Sequence, residues 1–289
     1  MPLVEPRVTA IMITHNRREE ALRSLAKLRA LPEQPHVILV DNASADGTLR
    51  SVAERFPDVE LIRSDRNLGA AARNLGVQQA RTPYVALCDD DTWWSAGSLQ
   101  RAAELLDRYP RVAVLTARLL NGPEEVEDPI CQTLKSSPLP MRGPLPGKPL
   151  LGFLAGASVV RRQAFLEAGG FDPRFFIGGE EQLLAIELAV RGWTLCYVPE
   201  LVVHHHPSPQ RDVRRRSLHV VRNRLWVTWL KRPAMRAVSD TLWALRTIAT
   251  DPAAARGLVR ALAGLPWILR ERRVVPAELE EQLCLLEAG

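Results

Sequence analysis

Three consecutive carboxylates, Asp89, Asp90 and Asp91, close the apolar run "YVALC" and are followed at once by Trp93 and Trp94. Neighbouring like charges repel, and each makes the next harder to ionise, so a positive partner is expected beside them. Carboxylates together with diphosphate oxygens suit Mg2+ or Mn2+, which bind a few protein acids and complete their shells with phosphate and water. Another acid, Asp41, ends the run "HVILVD", where the ribose-binding acid of a dinucleotide fold would stand. The first apolar run, however, leads into "THNRREE", with neither G-x-G-x-x-G nor a Walker A sequence. A nucleotide bound here must have its diphosphate neutralised without a glycine-rich turn, and the acidic triplet with a divalent cation is the candidate.

The elements that must position these acids are legible in the spacing of apolar residues. "VTAIMI" (8–13), "HVILVD" (36–41), "VELIRS" (59–64), "YVALCD" (84–89) and "VAVLTARLL" (112–120) read as strands. Between them, residues 18–31, 45–56, 69–80 and 95–110 carry helical spacing. Strands separated by helices of this length predict an α/β fold: a Rossmann-like, mainly parallel sheet with helices on both faces and ligands at the strands' carboxyl ends. The pattern lapses over residues 121–150, which are rich in Pro, Gly and Ser. It resumes with a helix over "EEQLLAIELAVRGW", a strand over "LCYVPELVVHHH" and a helical tail from about residue 211.

The ordered set "THNR", "VDNASADGT", "NLGAAARNLG", "DDD", "GGFDPRFF", "GGEE" and "VPELVVHHHPS" resembles the family 2 glycosyltransferases with a GT-A fold, over roughly residues 8–208. "HHHPSPQRD" followed by "RNRLWVTWLKRP" is similar to a bacterial, rhamnosyltransferase-like subgroup that builds cell-surface polysaccharide or glycolipid. The resemblance implies a nucleotide-diphospho-sugar donor and inverting transfer of a hexosyl or deoxyhexosyl group to an acceptor hydroxyl. It implies that Asp41 holds the base or ribose, and that Asp89 and Asp91 are the outer members of a D-x-D element binding metal and diphosphate. Asp90 would face the donor's ribose or sugar. Thr14, Asn16 and Arg17 follow the first strand, where the nucleotide base belongs. Arg73 opens a helix whose N-terminus favours anions, and the resemblance gives it the nucleotide or phosphate.

An inverting transferase needs one carboxylate to take the acceptor's proton. By the resemblance that base is Glu181, with Glu180 as its neighbour candidate. The chain reads Glu-Glu where the family commonly reads Glu-Asp, and Leu183 where it often has another acid. His205 matches the family's metal-binding histidine, and a one-residue slip would select His204. Strand alternation sets His204 and His206 on one face and His205 on the other. Trp93 is a candidate to stack on a sugar ring.

Composition narrows the setting. Four scattered cysteines without a C-x-x-C pair suit a reduced, cytosolic chain. The N-terminus has no secretory pattern, and no stretch approaches the ~18 apolar residues of a spanning helix. Residues 1–206 carry 23 Lys and Arg against 25 Asp and Glu, whereas residues 207–289 carry 15 against 8. That basic tail interleaves Trp226, Trp229, Trp243 and Trp267 with arginines. The expected division is a catalytic domain over 1–208 and a basic amphipathic helical extension over 209–289. The extension would rest peripherally on the anionic inner face of a membrane, near a saccharide or lipid-linked acceptor. A homodimer through these helices is the alternative use, and no nucleic-acid reader motif accompanies the charge. Two other readings remain open: an inactive glycosyltransferase-like membrane scaffold, and a nucleotidyltransferase, for which "THNRREE" is a poor phosphate-gripping loop.

Overall fold

A computed structural model describes residues 6–208, 213–248 and 252–288. Ten strands form one sheet: β1 (Val8–Thr14), β2 (His36–Asp41), β3 (Glu60–Arg63), β4 (Tyr84–Asp89), β5 (Thr92–Trp94), β6 (Val112–Asn121), β7 (Val126–Glu127), β8 (Lys148–Leu150), β9 (Ser158–Arg161) and β10 (Thr194–His205). Their main order is β3-β2-β1-β4-β9-β6-β10-β5. β1 to β4 pair in parallel, and β10 is parallel to β6. β9 runs antiparallel between β4 and β6, so these six strands point one way and end along a common edge. The central strands are apolar without alternation because helices cover both of their faces, as the full burial of Ile11, Leu39 and Leu87 requires.

Two features of the sheet build the site. β5 is only three residues long, yet it pairs antiparallel with the end of β10, setting Thr92 opposite His205 and Trp93 opposite His204. The acidic turn after β4 and the histidines ending β10 are thereby brought together. β10 also shifts register against β6 between Val198 and Val202, and beyond the shift His205 lies beside Asn121. The stretch 121–150 is more ordered than its composition suggested: it holds β7, a helix Ile130–Lys135 and β8, which pairs with β10.

The C-terminal helices run over Val213–Lys231, Ala234–Ile248, Pro252–Ala263, Leu265–Glu271 and Ala277–Ala288. Their core joins Leu225, Trp226, Trp229 and Ile268 to Phe175, Leu183 and Ile186 of the preceding part. Trp226 and Trp229 are therefore interior residues, their indole N–H groups donating to the Ala261 carbonyl and the Thr241 hydroxyl. This corrects the expectation that they face lipid: a buried indole with a satisfied N–H is worth more in a core than at a surface. Among the described residues no helix is long and apolar enough to cross a membrane.

Candidate functional site

A cleft of about 490 Å³ opens at the carboxyl ends of β1, β2 and β4, lined by Thr14, Arg17, Asn42, Arg73, Asp89, Asp90, Glu180 and Glu181, among others. The three aspartates diverge from one another. Asp89 keeps its carboxylate partly exposed and paired with the guanidinium of Arg73. Asp90 is buried and bound to Arg17 Nη1 at 3.0 Å and the Thr14 hydroxyl at 3.0 Å. Asp91 is 1% exposed, accepts the Ser208 N–H at 3.2 Å and lies 3.7 Å from Arg17. The positive partners that the triplet demanded are thus Arg73 and Arg17. Burial, partly offset by Arg17 and reinforced by Asp91 and Asp89, pushes the Asp90 carboxyl up to about 7.

Glu180 and Glu181 open the helix Glu180–Val190 on the opposite wall. Burial, with the negative charge of Glu180 next, pushes Glu181 up to about 7. Its Oε1 accepts the Ala155 N–H at 2.5 Å. Burial also raises Glu180, whose Oε2 has no hydrogen-bond partner among the described residues. A buried carboxylate oxygen left so costs about 1–3 kcal/mol.

The loop before this helix is held in an unfavourable backbone. Phe176 has φ +66°, and a bulky residue there costs about 1–3 kcal/mol unless its surroundings over-determine it. Its carbonyl accepts the Ala70 N–H at 2.7 Å, which ties the carboxylate loop to the loop after β3. The approach requires glycine at position 69: a Cβ there would stand 2.0 Å from the Phe176 oxygen.

Among the described residues, two of the expected metal ligands, Asp91 and His205, stand together. His205 bonds Asn121 Oδ1 through Nδ1 at 2.8 Å and turns Nε2 to within 3.7 Å of Asp91 Oδ1. A carboxylate oxygen and an imidazole nitrogen this close are two donors of the kind a divalent cation uses, and the Asn121 bond orients the ring as such ligands need, but both side chains are buried and neither lines the cleft. Asp89, expected in the same ligand set, stands apart on Arg73, and among the described residues no three His, Cys, Asp or Glu side chains converge. His204, the alternative, has both ring nitrogens engaged, with Ser95 Oγ at 2.7 Å and Glu125 Oε1 at 2.9 Å.

Several other expected contacts lie elsewhere. Asp41 is fully buried, accepts the Ser44 N–H at 3.2 Å and does not line the cleft. The next residue, Asn42, lines it instead, bonding the Leu68 N–H and the Gly69 carbonyl. Asn16 faces solvent and clasps the loop after β2 through Ser44 and Ala45. Trp93 is packed, its ring stacked 5.6 Å from that of His204. His15 lines the cleft, as do Phe176 and, from the helix Val213–Lys231, Val220. His15 stood within "THNR" and Asn42 within "VDNASADGT", and neither motif singled out its residue.

A sheet of this topology with a cationic and acidic cleft at its strand ends has the fold of the GT-A glycosyltransferases. The mannosyltransferase PcManGT from Pyrobaculum calidifontis, solved in complex with GDP-Man and Mn2+, superposes with a TM-score of 0.59 at 19% identity, covering 99% of this chain and 87% of that one. GalNAc-T7 with UDP, GalNAc and Mn2+ gives 0.60 at 15% identity, over 78% of this chain and 48% of its own. Residues 9–169 match the model for glycosyl transferase family 2, and the chain belongs to that family. It is 30% identical over 232 residues to the N-acetylglucosaminyl-diphospho-decaprenol L-rhamnosyltransferase of Mycobacterium tuberculosis, covering 68% of this chain and 75% of the relative. It is also 31% identical to that organism's pre-mycofactocin glycosyltransferase, over 71% of this chain and 44% of the relative.

Proposed function

We propose that this chain moves a hexosyl or deoxyhexosyl group, with inversion, from a nucleotide-diphospho-sugar to a hydroxyl of a lipid-linked saccharide in cell-surface polysaccharide synthesis. The observation that carries this reading is the pairing across one cleft of a carboxylate poised near neutrality, Glu181, with the cations Arg73 and Arg17. Glu181 takes the acceptor proton as the acceptor oxygen bonds to the anomeric carbon. The bond to the leaving diphosphate breaks with its electron pair, and Arg73 and Arg17 meet the charge that develops. A divalent cation, Mg2+ or Mn2+, held by Asp91 and His205 would supply electrostatic stabilisation to the same leaving group. The mycobacterial relative named for a diphospho-decaprenol acceptor supports the lipid-linked class.

Residues 1–208 form the donor-binding and catalytic part in this reading, and 209–289 the helical extension. Met235, Val238, Leu242 and Leu245 form an exposed stripe on the helix Ala234–Ile248. The exposed charges on this helix and the next are Arg246, Arg256 and Arg260. Apolar and basic residues together suit an anionic lipid surface at the cytoplasmic face.

A thermal-shift panel of UDP-, GDP- and dTDP-sugars with and without Mn2+ tests the function. Stabilisation by one donor, larger with metal, is expected. No shift with any donor would overturn the reading in favour of the scaffold.

A further inference from the structure

The C-terminal helix Val213–Lys231 reaches back into the site through one buried side chain. Asn223 is 1% exposed, and its Nδ2 donates to the carbonyls of Phe175 at 3.0 Å, Ile177 at 3.0 Å and Gly178. Its Oδ1 accepts Arg222 Nε at 2.8 Å. A guanidinium offers only donors and a carbonyl only accepts, so the amide has one satisfactory orientation, with its NH2 toward the loop. Arg222 Nη2 also bonds the Phe175 carbonyl.

These carbonyls belong to a segment with little hydrogen bonding of its own, the Ile177 N–H to the Phe175 carbonyl at 2.9 Å being its internal bond among the described residues. Phe176, Gly178 and Gly179 all have positive φ, and Gly179 caps the helix that begins with Glu180 and Glu181. The turn aims carbonyls from three of four consecutive residues at a single donor, leaving few of them to pair within the loop. Such a backbone persists only when its neighbours over-determine it. The neighbours are the Ala70 N–H on one side and Asn223 with Arg222 on the other.

We propose that Asn223 is a positioning residue for the transfer reaction: it fixes the Phe175–Gly179 turn and through it the placement of Glu180 and Glu181 in the cleft. The inference rests on the assignment of Glu181 as base. It makes the helical extension a component of the active site as well as an appendage for docking. Thr14, Arg17 and Arg73 stand on other segments, whereas Glu180 and Glu181 follow directly from this turn, so turnover responds more strongly than donor binding to its loss.

Asn223→Asp decides between a donor role and simple filling of space. The aspartate has the same shape and keeps an acceptor for Arg222, but turns a carboxylate toward carbonyl oxygens. Displacing a catalytic group by about 1 Å costs on the order of 10²-fold in rate. Asn223→Asp and Asn223→Ala are expected to lower kcat by about that factor, Asp at least as much as Ala, with donor KM changed by less than about threefold. Thr228→Val removes the hydroxyl bonded to Asp240 at 2.6 Å in the same bundle and serves as the control for lost stability. In hydrogen exchange, amides of 175–183 should lose protection in both Asn223 variants and keep it in Thr228→Val. Wild-type kcat in Asn223→Asp, or unchanged exchange at 175–183, would overturn the proposal. An equal loss of turnover in Thr228→Val would do so too. A wild-type protein inactive with every sugar nucleotide would instead sink the functional reading, while exchange at 175–183 would still judge the clamp.

Discussion

Glu181 and Asp90 face one cleft from opposite walls, one on the helix after a glycine turn and the other on the turn after β4, and burial pushes both carboxyls up to about 7. Their partners differ. Asp90 is held by Arg17 and Thr14, whereas the bond identified for Glu181 comes from a backbone N–H of Ala155, leaving its other oxygen for chemistry.

A base acts only when deprotonated, so turnover should rise with pH through an ascending limb near 7. Glu181→Gln should lower kcat by about 10²–10⁴-fold and abolish that limb, while donor-induced thermal stabilisation persists. Steady-state rates across pH 5 to 9 check this, and a Gln variant with near-wild-type kcat refutes the assignment.

The same shifts carry a stability consequence. A carboxyl whose folded pKa lies above its unfolded value binds protons better when folded, so its contribution is present below the unfolded pKa and fades as pH rises through the folded one. For Asp90 and Glu181 that window runs from their ordinary values of 3.8 and 4.5 to about 7. Calorimetry should therefore show Tm falling from pH 5 to pH 8, and less steeply in Asp90→Asn or Glu181→Gln.

Asn121 lies outside the motifs, yet it orients the His205 ring. Asn121→Ala should weaken Mn2+ binding by about 10- to 100-fold, as loss of an outer-shell partner does. Titrating Mn2+ against sugar-nucleotide binding reads the shift; an unchanged midpoint would remove His205 from the metal's ligands.

Gly69→Ala places a methyl against the Phe176 carbonyl, where no flexible side chain can yield. Breaking the Ala70 to Phe176 bond should cost more than ~1 kcal/mol and lower Tm by at least ~2 °C. Turnover should drop with it, since the turn carrying Glu181 loses one of the bonds that moor it. Unaltered kinetics would show the mooring to be dispensable.

Leu242→Glu with Leu245→Glu should release the protein from vesicles containing phosphatidylserine without altering its fold. Sedimentation with anionic and neutral vesicles measures this, and equal binding by variant and wild type would dismiss the stripe as a lipid contact.

The parallel half of the sheet was legible because burial on both faces writes an uninterrupted apolar run, as in "HVILVD", and the triplet was legible because charge so placed needs a reason. What failed was resolution at single residues. Asp41 and Asn42 are adjacent, and strand alternation sends neighbours to opposite sides; only the Ser44 turn determines which meets the cleft. The separation of Asp89 from Asp91 follows from Arg73 and the Ser208 N–H, one nearby and one more than a hundred positions away. Asn223 stood inside "RNRLWVTWLKRP", but nothing in that stretch singled it out, because the carbonyls it meets are ones any sequence would supply.

The pairing of β5 with β10 sets a schedule for synthesis. Thr92 and His205 meet across a span longer than a hundred residues, and the carboxylate turn is secured by a residue later still, Asn223. Non-local contacts form only after the intervening chain exists, and chains are made from the N-terminus. A ribosome that has released β1 to β4 has therefore made most of the donor half, the acids after β4 included, but no complete enzyme. The histidine and the clamp are made later, as are Ala155, Phe176 and Glu181, so the cleft is walled on all sides only after most of the chain has emerged.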